Sequence, residues 1–257
     1  MTLREVIRER TPPAAVQLIA QARHKSLVVR LRGDTVECPA CGGRFSGFLP
    51  DAAGNRVVCP QCSSMERHRR MVLFLRRQPD IRKGGLRILH VAPERSIRRE
   101  LEALPGLDYV SADLYAPDVD LRMDVTDIHF KDGTFDLVIC AHVLEHVADD
   151  SAAMRELCRV LKPTGYALGD VPCDATLPAI YEDPRITGPA ERLVHFGQED
   201  HVRLYDVDGF VSRMVAAGFD VTENPLRPTP EEAERYVLGV APSAPERSFL
   251  CRPARTR

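Results

Sequence analysis

Residues 124–168 read DVTDIHFKDGTFDLVICAHVLEHVADDSAAMRELCRVLKPTGYAL and alternate between strand-like and helix-like patterns. Residues 135–141, FDLVICA, are apolar on both faces and predict a buried central strand. One helical face follows, made of Ala153, Leu157, Val160 and Leu161. Pro163 and Gly165 end this helix, and YALGDV at 166–171 predicts the next strand.

The sequence before residue 124 continues the same alternation. Residues 87–92, 109–113 and 121–124 are short strand-like runs separated by helical or turn-rich segments. Strands and helices that alternate at these intervals predict an open α/β fold with a parallel sheet. In such folds, ligands bind at the carboxyl ends of the strands. No glycine-rich stretch matches a phosphate-binding loop, which disfavours an enzyme of nucleoside triphosphates.

Four of the eight cysteines form two pairs, Cys38 and Cys41 in CPAC and Cys59 and Cys62 in CPQC. This spacing is typical of a zinc site with four cysteine ligands. Because sulfur would fill all four coordination positions, we expect structural Zn²⁺ with no position for water. Two redox dithiols or four buried free cysteines are the alternatives.

The composition predicts a soluble globular protein. The chain has 257 residues, 44% of them hydrophobic, and a formal net charge of −2. This composition excludes a disordered or fibrous chain, and the absence of a long apolar run excludes a membrane-spanning helix. The first 30 residues lack the apolar core of a secretion signal, so we expect a cytoplasmic protein. Residues 1–82 carry an excess of Arg, either as a solvated surface or as a surface for an anionic partner.

Residues 86–252 resemble a class I S-adenosylmethionine-dependent methyltransferase of the Rossmann-like, type 11 kind, most clearly over residues 124–168. The whole chain resembles a bacterial subgroup that has a four-cysteine ribbon, the segments ERHR and HVAPE, and a late GQEDHVRLY segment. The resemblance implies a seven-stranded methyltransferase sheet with an N-terminal helical arm and a small zinc ribbon. The expected domains are an arm at 1–33, the ribbon with a linking helix at 34–83, and the methyltransferase domain at 84–257.

The resemblance also implies a set of residues that bind S-adenosylmethionine. Asp113 matches the carboxylate that binds the ribose hydroxyls, and Asp124 matches the acid that precedes the adenine edge. The chain departs from the family after the first strand, where HVAPE replaces a glycine-rich turn, so that backbone contact must come through Ala92. The other expected cofactor-binding residues are His90, Pro93, Glu94, Leu114, Val125, Thr126, Ala141 and His142. For His90, which lies within an apolar strand, a buried core histidine is the favoured alternative.

Residues 172–206 form a long segment without clean periodicity that is rich in titratable side chains. A long insertion at the carboxyl end of a sheet is a typical place for a substrate pocket or lid. We expect a catalytic base among His142, His201, Glu199 and His146, because histidine accepts protons near neutral pH. A second metal site at His142 and His146, with Glu145 adjacent, is a less favoured alternative.

These residues favour an enzyme that O-methylates a polar small molecule or sugar. The alternative is an RNA methyltransferase whose zinc ribbon and basic first third grip nucleic acid, although the aromatic residues for base stacking are few there. A third interpretation is a cofactor-binding scaffold without turnover. No membrane partner is expected, and the sequence leaves the acceptor, the methylated atom and the oligomeric state open.

Overall fold

The computed structural model describes residues 24–223, 225, 227–239 and 246–254. The predicted arm lies outside the described residues up to position 23, and residues 24–30 are helical. Two compact units make up the chain. Described residues up to 69 and residues 229–239 form the ribbon unit, and the other described residues form the sheet unit.

The ribbon unit contains two short antiparallel pairs of strands, β1 (Arg32–Glu37) with β2 (Arg44–Phe45), and β3 (Leu49–Pro50) with β4 (Arg56–Val58). One cysteine pair follows β1 and the other follows β4. Phe45, Phe48 and Val57 are buried between these elements. This apolar set is small, so we expect the unit to need additional interactions to remain folded.

The remaining elements alternate along the chain. In order they are α1 (Glu66–Arg77), α2 (Pro79–Lys83), β5 (Arg87–Val91), α3 (Arg95–Glu102), β6 (Asp108–Asp113), β7 (Leu121–Arg122), β8 (Phe135–Ala141), a 3-10 turn (Leu144–His146), α4 (Asp150–Val160), β9 (Leu161–Pro172), β10 (Tyr181–Glu182), α5 (Pro189–Phe196), β11 (Arg203–Leu204), α6 (Val207–Ala216), β12 (Phe219–Glu223), α7 (Pro230–Arg235) and β13 (Glu246–Pro253).

The sheet unit is built on a seven-stranded sheet of order β12-β13-β9-β8-β5-β6-β7. The strands β5 to β9 pair in parallel, and β13 lies antiparallel between β9 and β12. Strand β8 is central, and every side chain on it except Asp136 is buried. The prediction of a Rossmann-like seven-stranded sheet is confirmed.

Asp149 and Gly165 shape the start of α4 and the course of β9. The helix ends before the position predicted from the sequence, because Leu161, Pro163 and Gly165 belong to β9. Helix α4 is capped by Asp149, whose carboxylate accepts a hydrogen bond from the backbone N–H of Ala152 at 2.8 Å. The chain then passes directly from Val160 into β9. A Cβ atom at Gly165 would lie 2.9 Å from the carbonyl oxygen of Asp136, so only glycine permits this close approach.

The segment after β9 contains a separate two-stranded sheet. Strands β10 and β11 pair antiparallel within the predicted insertion, and α5 lies between them in sequence. Residues 229–239, expected within the methyltransferase domain, instead belong to the ribbon unit, where Arg235 forms a 2.6 Å ion pair with Glu37. None of the helices in the described part of the chain combines the length and apolar character that a membrane span requires.

Candidate functional site

A cleft of about 700 Å³ opens in the sheet unit where β5, β6 and β8 end. Parallel strands bring their carboxyl ends to one edge, which is where ligands bind in open α/β sheets. Eight of the residues that the sequence predicted for the site line it: Ala92, Asp113, Leu114, Asp124, Val125, Thr126, His142 and His146.

Two residues at strand ends have a left-handed backbone, Ala92 with a φ of 49° and His142 with a φ of 53°. Residues other than glycine adopt this backbone conformation at an energetic cost, and residues strained in this way concentrate at functional sites. The Ala92 N–H donates to the carbonyl oxygen of Ala112 at 2.8 Å, and the His142 N–H donates to that of Asp170 at 2.7 Å. The left-handed turn that a glycine would normally make is therefore made by Ala92.

Asp113 and Asp124 each close a turn and also line the cleft. One carboxylate oxygen of Asp113, Oδ1, accepts hydrogen bonds from the N–H groups of Tyr115 at 2.6 Å and Ala116 at 2.8 Å. Asp124 Oδ1 accepts from the N–H and the hydroxyl of Thr126, both at 2.8 Å. No bond to Oδ2 of Asp113 occurs among the described residues, so a fixed carboxylate retains an oxygen that can accept ligand hydroxyls.

His90, Pro93, Glu94 and Ala141 are not among the residues that line the cleft. His90 is fully buried on β5, where its Nδ1 lies 3.0 Å from the hydroxyl of Tyr109. Burial lowers the pKa of His90 to about 4, so the ring is neutral at physiological pH. This environment is that of a core histidine, the alternative favoured from the sequence.

Beside the cleft, the 3-10 turn brings Glu145 and His146 close to His201. Glu145 is fully buried, and its Oε1 lies 3.2 Å from Nδ1 of His142. The rings of His146 and His201 meet edge to face, with centroids 4.7 Å apart. Burial lowers the pKa of His201, and the charge of Glu145 partly opposes that shift. We call Glu145, His146 and His201 the EHH cluster.

The insertion contributes one expected residue and two unexpected residues to this region. His201 lies in the EHH cluster, whereas Glu199 is exposed and does not line the cleft. Its neighbour Asp200 does, with a carboxylate oxygen 3.3 Å from Nδ1 of His146. Arg192 of α5 also lines the cleft. Sequence reasoning missed Asp200 and Arg192 as site residues, and only their position in the insertion pointed to them.

Arg203, in the same late segment, holds the 3-10 turn in place. Its guanidinium is buried and donates to the backbone carbonyls of Leu144 at 2.9 Å, Val147 at 2.5 Å and Ala148 at 2.9 Å. The adjacent Val202 N–H donates to the carbonyl oxygen of Glu145 at 2.9 Å. Because these bonds tie the segment to the turn, they fix His201 beside Glu145.

The four paired cysteines come together in the ribbon unit. Their sulfur atoms all lie within 4.8 Å of one another, with Cys38 to Cys62 at 3.6 Å and Cys41 to Cys59 at 3.7 Å. Zinc–sulfur bonds of about 2.3 Å in a tetrahedron place the sulfurs about 3.8 Å apart, so these two separations fit Zn²⁺. None of the four forms a disulfide.

The turns that carry these cysteines are held by backbone hydrogen bonds. The Cys38 N–H donates to Gly43 O at 2.9 Å, and the Cys59 N–H donates to Ser64 O at 2.9 Å. The hydroxyl of Ser64 lies 3.1 Å from the sulfur of Cys38. Both knuckles therefore present their sulfurs to a common point.

The sheet order, the antiparallel β13 and the cleft at the strand ends define a Rossmann-like methyltransferase fold. Residues 97–169 match the family described as "Methyltransferase domain". Residues 97–169 therefore belong to a Rossmann-like methyltransferase domain, and the resemblance to S-adenosylmethionine-dependent methyltransferases is confirmed. The resemblance of the whole chain to a bacterial subgroup stays a prediction.

The chain is similar in sequence to a known methyltransferase. It is 31% identical over 154 residues to the 27-O-demethylrifamycin SV methyltransferase of Amycolatopsis mediterranei, an alignment that covers 56% of this chain and 50% of that protein. The chain thus spans about half the length of this curated relative.

Two solved structures show the same fold. The [4+2]-cyclase SpnF has a TM-score of 0.54 at 17% identity. The alignment covers 93% of this chain and 96% of the SpnF chain. An S-adenosylmethionine-dependent methyltransferase from Mesorhizobium loti has a TM-score of 0.50 at 17% identity, with coverages of 70% and 95%.

Proposed function

We propose that this protein transfers a methyl group from S-adenosylmethionine to a hydroxyl group of a polar small molecule or sugar. The observation that carries the proposal is the pairing of His142 with Glu145 at the edge of the cleft, with 3.2 Å between Nδ1 and Oε1. A hydroxyl acceptor must lose its proton as the new bond forms, and a neutral imidazole can accept that proton. The rifamycin relative, whose name specifies an O-demethylated substrate, supports an oxygen acceptor.

The residues of the cleft fit the proposed cofactor. The carboxylate of Asp113 offers an acceptor oxygen to the ribose hydroxyls, and the left-handed backbone at Ala92 allows close approach to the methionine portion. Asp124 and Val125 would hold the adenine edge. S-adenosylmethionine supplies an activated methyl group on a positively charged sulfur.

His142 and Glu145 have the geometry of an oriented base. A carboxylate at Nδ1 holds the tautomer in which Nδ1 carries the proton, which leaves Nε2 to accept one. Nε2 of His142 is buried in the structure, so we expect the ring to turn toward the cleft as the acceptor binds. The hydroxyl proton of the acceptor would then pass to Nε2 as the acceptor oxygen takes the methyl group. His142 is 21% exposed, so its ring is close to the cleft without being fully solvated.

A panel assay tests this proposal. Release of S-adenosylhomocysteine is measured with nucleotide sugars, glycosides, polyketide alcohols and total RNA, and we expect turnover with a hydroxylated small molecule. With that acceptor, His142→Asn should lower kcat by about 10² to 10⁴-fold. The affinity for S-adenosylmethionine should change little, and the exposed His129→Gln should serve as a control that behaves as wild type. Turnover confined to RNA, or unchanged kcat in His142→Asn, would refute the proposal.

We also propose that the four cysteines bind one structural Zn²⁺. The sulfur separations and the small apolar set of the ribbon unit support this, because metal binding supplies folding free energy to such modules. Elemental analysis of protein purified without chelators should give one zinc per chain. Cys59→Ser should lose this zinc while the sheet unit, which has its own core, keeps its affinity for S-adenosylmethionine. Protein without metal, or with a Cys38–Cys41 disulfide, would contradict the assignment.

A further inference from the structure

We propose that the EHH cluster binds a divalent transition-metal ion in the wall of the cleft, separate from the cysteine site. One potential ligand atom from each of Glu145, His146 and His201 lies within 4.8 Å of the other two. Two imidazole nitrogens and one carboxylate oxygen form a donor set that binds zinc, iron, cobalt and related ions. The three residues come from the 3-10 turn and from the segment before β11, which Arg203 holds together.

In the part of the chain that the structure describes, two buried polar atoms of the cluster lack a partner, which a bound cation would supply. Oε2 of Glu145 and Nδ1 of His201 are buried and have no hydrogen-bond partner within the described residues. The side chains themselves are 0% and 3% exposed. Buried polar atoms in folded proteins are almost always paired, and a buried carboxylate needs a nearby positive charge. A cation between these two atoms meets both requirements.

The other ring nitrogens already have the partners that metal-bound histidines normally have. Nδ1 of His146 lies 3.3 Å from a carboxylate oxygen of Asp200. Nδ1 of His201 has no partner within the described residues, so Nε2 is left to interact with the backbone of Phe196. Histidines that bind metals typically donate their second N–H to a carboxylate or a carbonyl, which fixes the ring. Nε2 of His146 and Nδ1 of His201 are therefore the expected ligands.

The ligand atoms of the cluster lie within 4.8 Å of one another, which is slightly farther apart than a bound ion requires. A tetrahedral ion with bonds of about 2.1 Å places its ligands about 3.4 Å apart. The atoms of the cluster would therefore move by about 1 Å, which rotation of the partly exposed His146 can supply.

The position of the cluster suggests what the ion would do. Three protein ligands leave at least one coordination position open, as in catalytic metal sites. His146 and Asp200 both line the cleft, so an open position there faces a bound acceptor. If the protein has the proposed function, an acceptor with a hydroxyl, or with two adjacent oxygens, would bind to the ion and lose its proton more readily. This role rests on the proposed function, whereas the metal site itself does not.

Titration of the full chain with Co²⁺ tests the site. Protein whose cysteine site holds zinc is titrated by calorimetry and by visible absorption, without acceptor. We expect one additional Co²⁺ per chain, without the sulfur-to-metal charge-transfer absorption that thiolate ligands give. His146→Ala and Glu145→Gln should weaken Co²⁺ binding at least tenfold, since loss of even an outer partner costs 10- to 100-fold. His129→Gln, a change at an exposed histidine of the same unit, should bind Co²⁺ as wild type does.

Melting temperature and S-adenosylmethionine affinity establish that each variant is folded. Because the His146 side chain is 32% exposed, His146→Ala remains informative even if Glu145→Gln fails to fold. Absence of Co²⁺ binding beyond the cysteine site, or equal binding in wild type and His146→Ala, would overturn the proposal and leave the cluster as two packed histidines beside a buried carboxylate. Co²⁺ binding without any methyl transfer would overturn only the proposed function.

Discussion

Arg69 offers a sharp test of how the ribbon unit is held together. Its side chain is 0% exposed and its guanidinium donates to four backbone carbonyls of that unit. The bonds reach Val57 at 2.7 Å, Ser64 at 2.8 Å, Tyr236 at 2.9 Å and Val237 at 2.9 Å. One side chain thus joins β4, the second cysteine turn and the segment at 229–239. Burial lowers the pKa of Arg69, and negative charge at Cys38, Glu66, Cys59 and Cys62 acts against this.

Replacing Arg69 with methionine removes all four bonds and keeps most of the apolar stem. The bonds to Val57 and Ser64 are buried, and a hydrogen bond from a charged group contributes about 1.5 to 3 kcal/mol. These two bonds alone make a loss of about 3 to 6 kcal/mol. The guanidinium also lies 4.5 Å from the centre of the Phe48 ring, an attraction that methionine lacks. Since whole domains are stable by only about 5 to 15 kcal/mol, we expect the ribbon unit of Arg69→Met to unfold.

Limited proteolysis, zinc content and S-adenosylmethionine binding together measure the effect. In Arg69→Met, cleavage should concentrate in the ribbon unit and zinc should be lost, while binding of S-adenosylmethionine persists. The control is Arg44→Met, which removes an exposed ion pair with Asp34 in the same unit and should behave as wild type. If Arg69→Met keeps its zinc and resists protease as well as Arg44→Met does, the reasoning about the buried guanidinium is refuted.

Three further predictions concern the sheet unit. Asp113→Ala should weaken S-adenosylmethionine binding roughly ten- to a hundredfold by calorimetry, and unchanged affinity would remove Asp113 from the site. Burial lowers the pKa of His90 from 6.5 to about 4, so protonation of this side chain favours the unfolded state. The free energy of unfolding should therefore be about 3 kcal/mol lower at pH 4 than it is above pH 6.5. Urea titrations of His90→Gln should lack this part of the loss, and equal losses would contradict it. Ala92→Gly should leave stability unchanged or raise it by up to about 1 kcal/mol in thermal unfolding, because the φ of 49° suits glycine, and a clear loss would argue against backbone strain.

The sheet was predictable because its signals are local. The apolar run at 135–141 and the helical face after it depend on neighbouring residues, and the structure follows them. The cysteine pairs were predictable for the same reason. The break expected at Pro163 and Gly165 comes earlier, because the helix ends at Val160 and β9 begins at Leu161. Strand β6 ends at Asp113 as predicted, whereas β7 ends at Arg122, two residues before Asp124; both carboxylates line the cleft.

Other parts of the site depend on contacts between distant segments, which periodicity does not reveal. The bonds of Arg69 to Tyr236 and Val237 join residues more than 160 positions apart, and they place 229–239 in the ribbon unit. The choice between Glu199 and Asp200 is similar, because adjacent acids in a segment without periodicity give no sign of which one faces the cleft. The hydrogen bonds of Val202 to Glu145 and of Arg203 to the 3-10 turn fix the register of that segment.

That register explains why the segment from 200 to 203 matters more than any single residue in it. Asp200 faces the cleft beside His146, His201 is buried against Glu145, and Arg203 binds the carbonyls of the 3-10 turn. The turn that carries the proposed ligands and the segment that completes them therefore hold each other in place. A change at Arg203, which does not line the cleft, should consequently disturb His201 and Glu145 as well. Because His142 is oriented by Glu145, that disturbance would extend to the proposed base. Hydrogen bonds thus link Arg203 and Val202 to the turn and Glu145 to His142, and we expect the proposed chemistry to depend on residues that do not line the cleft.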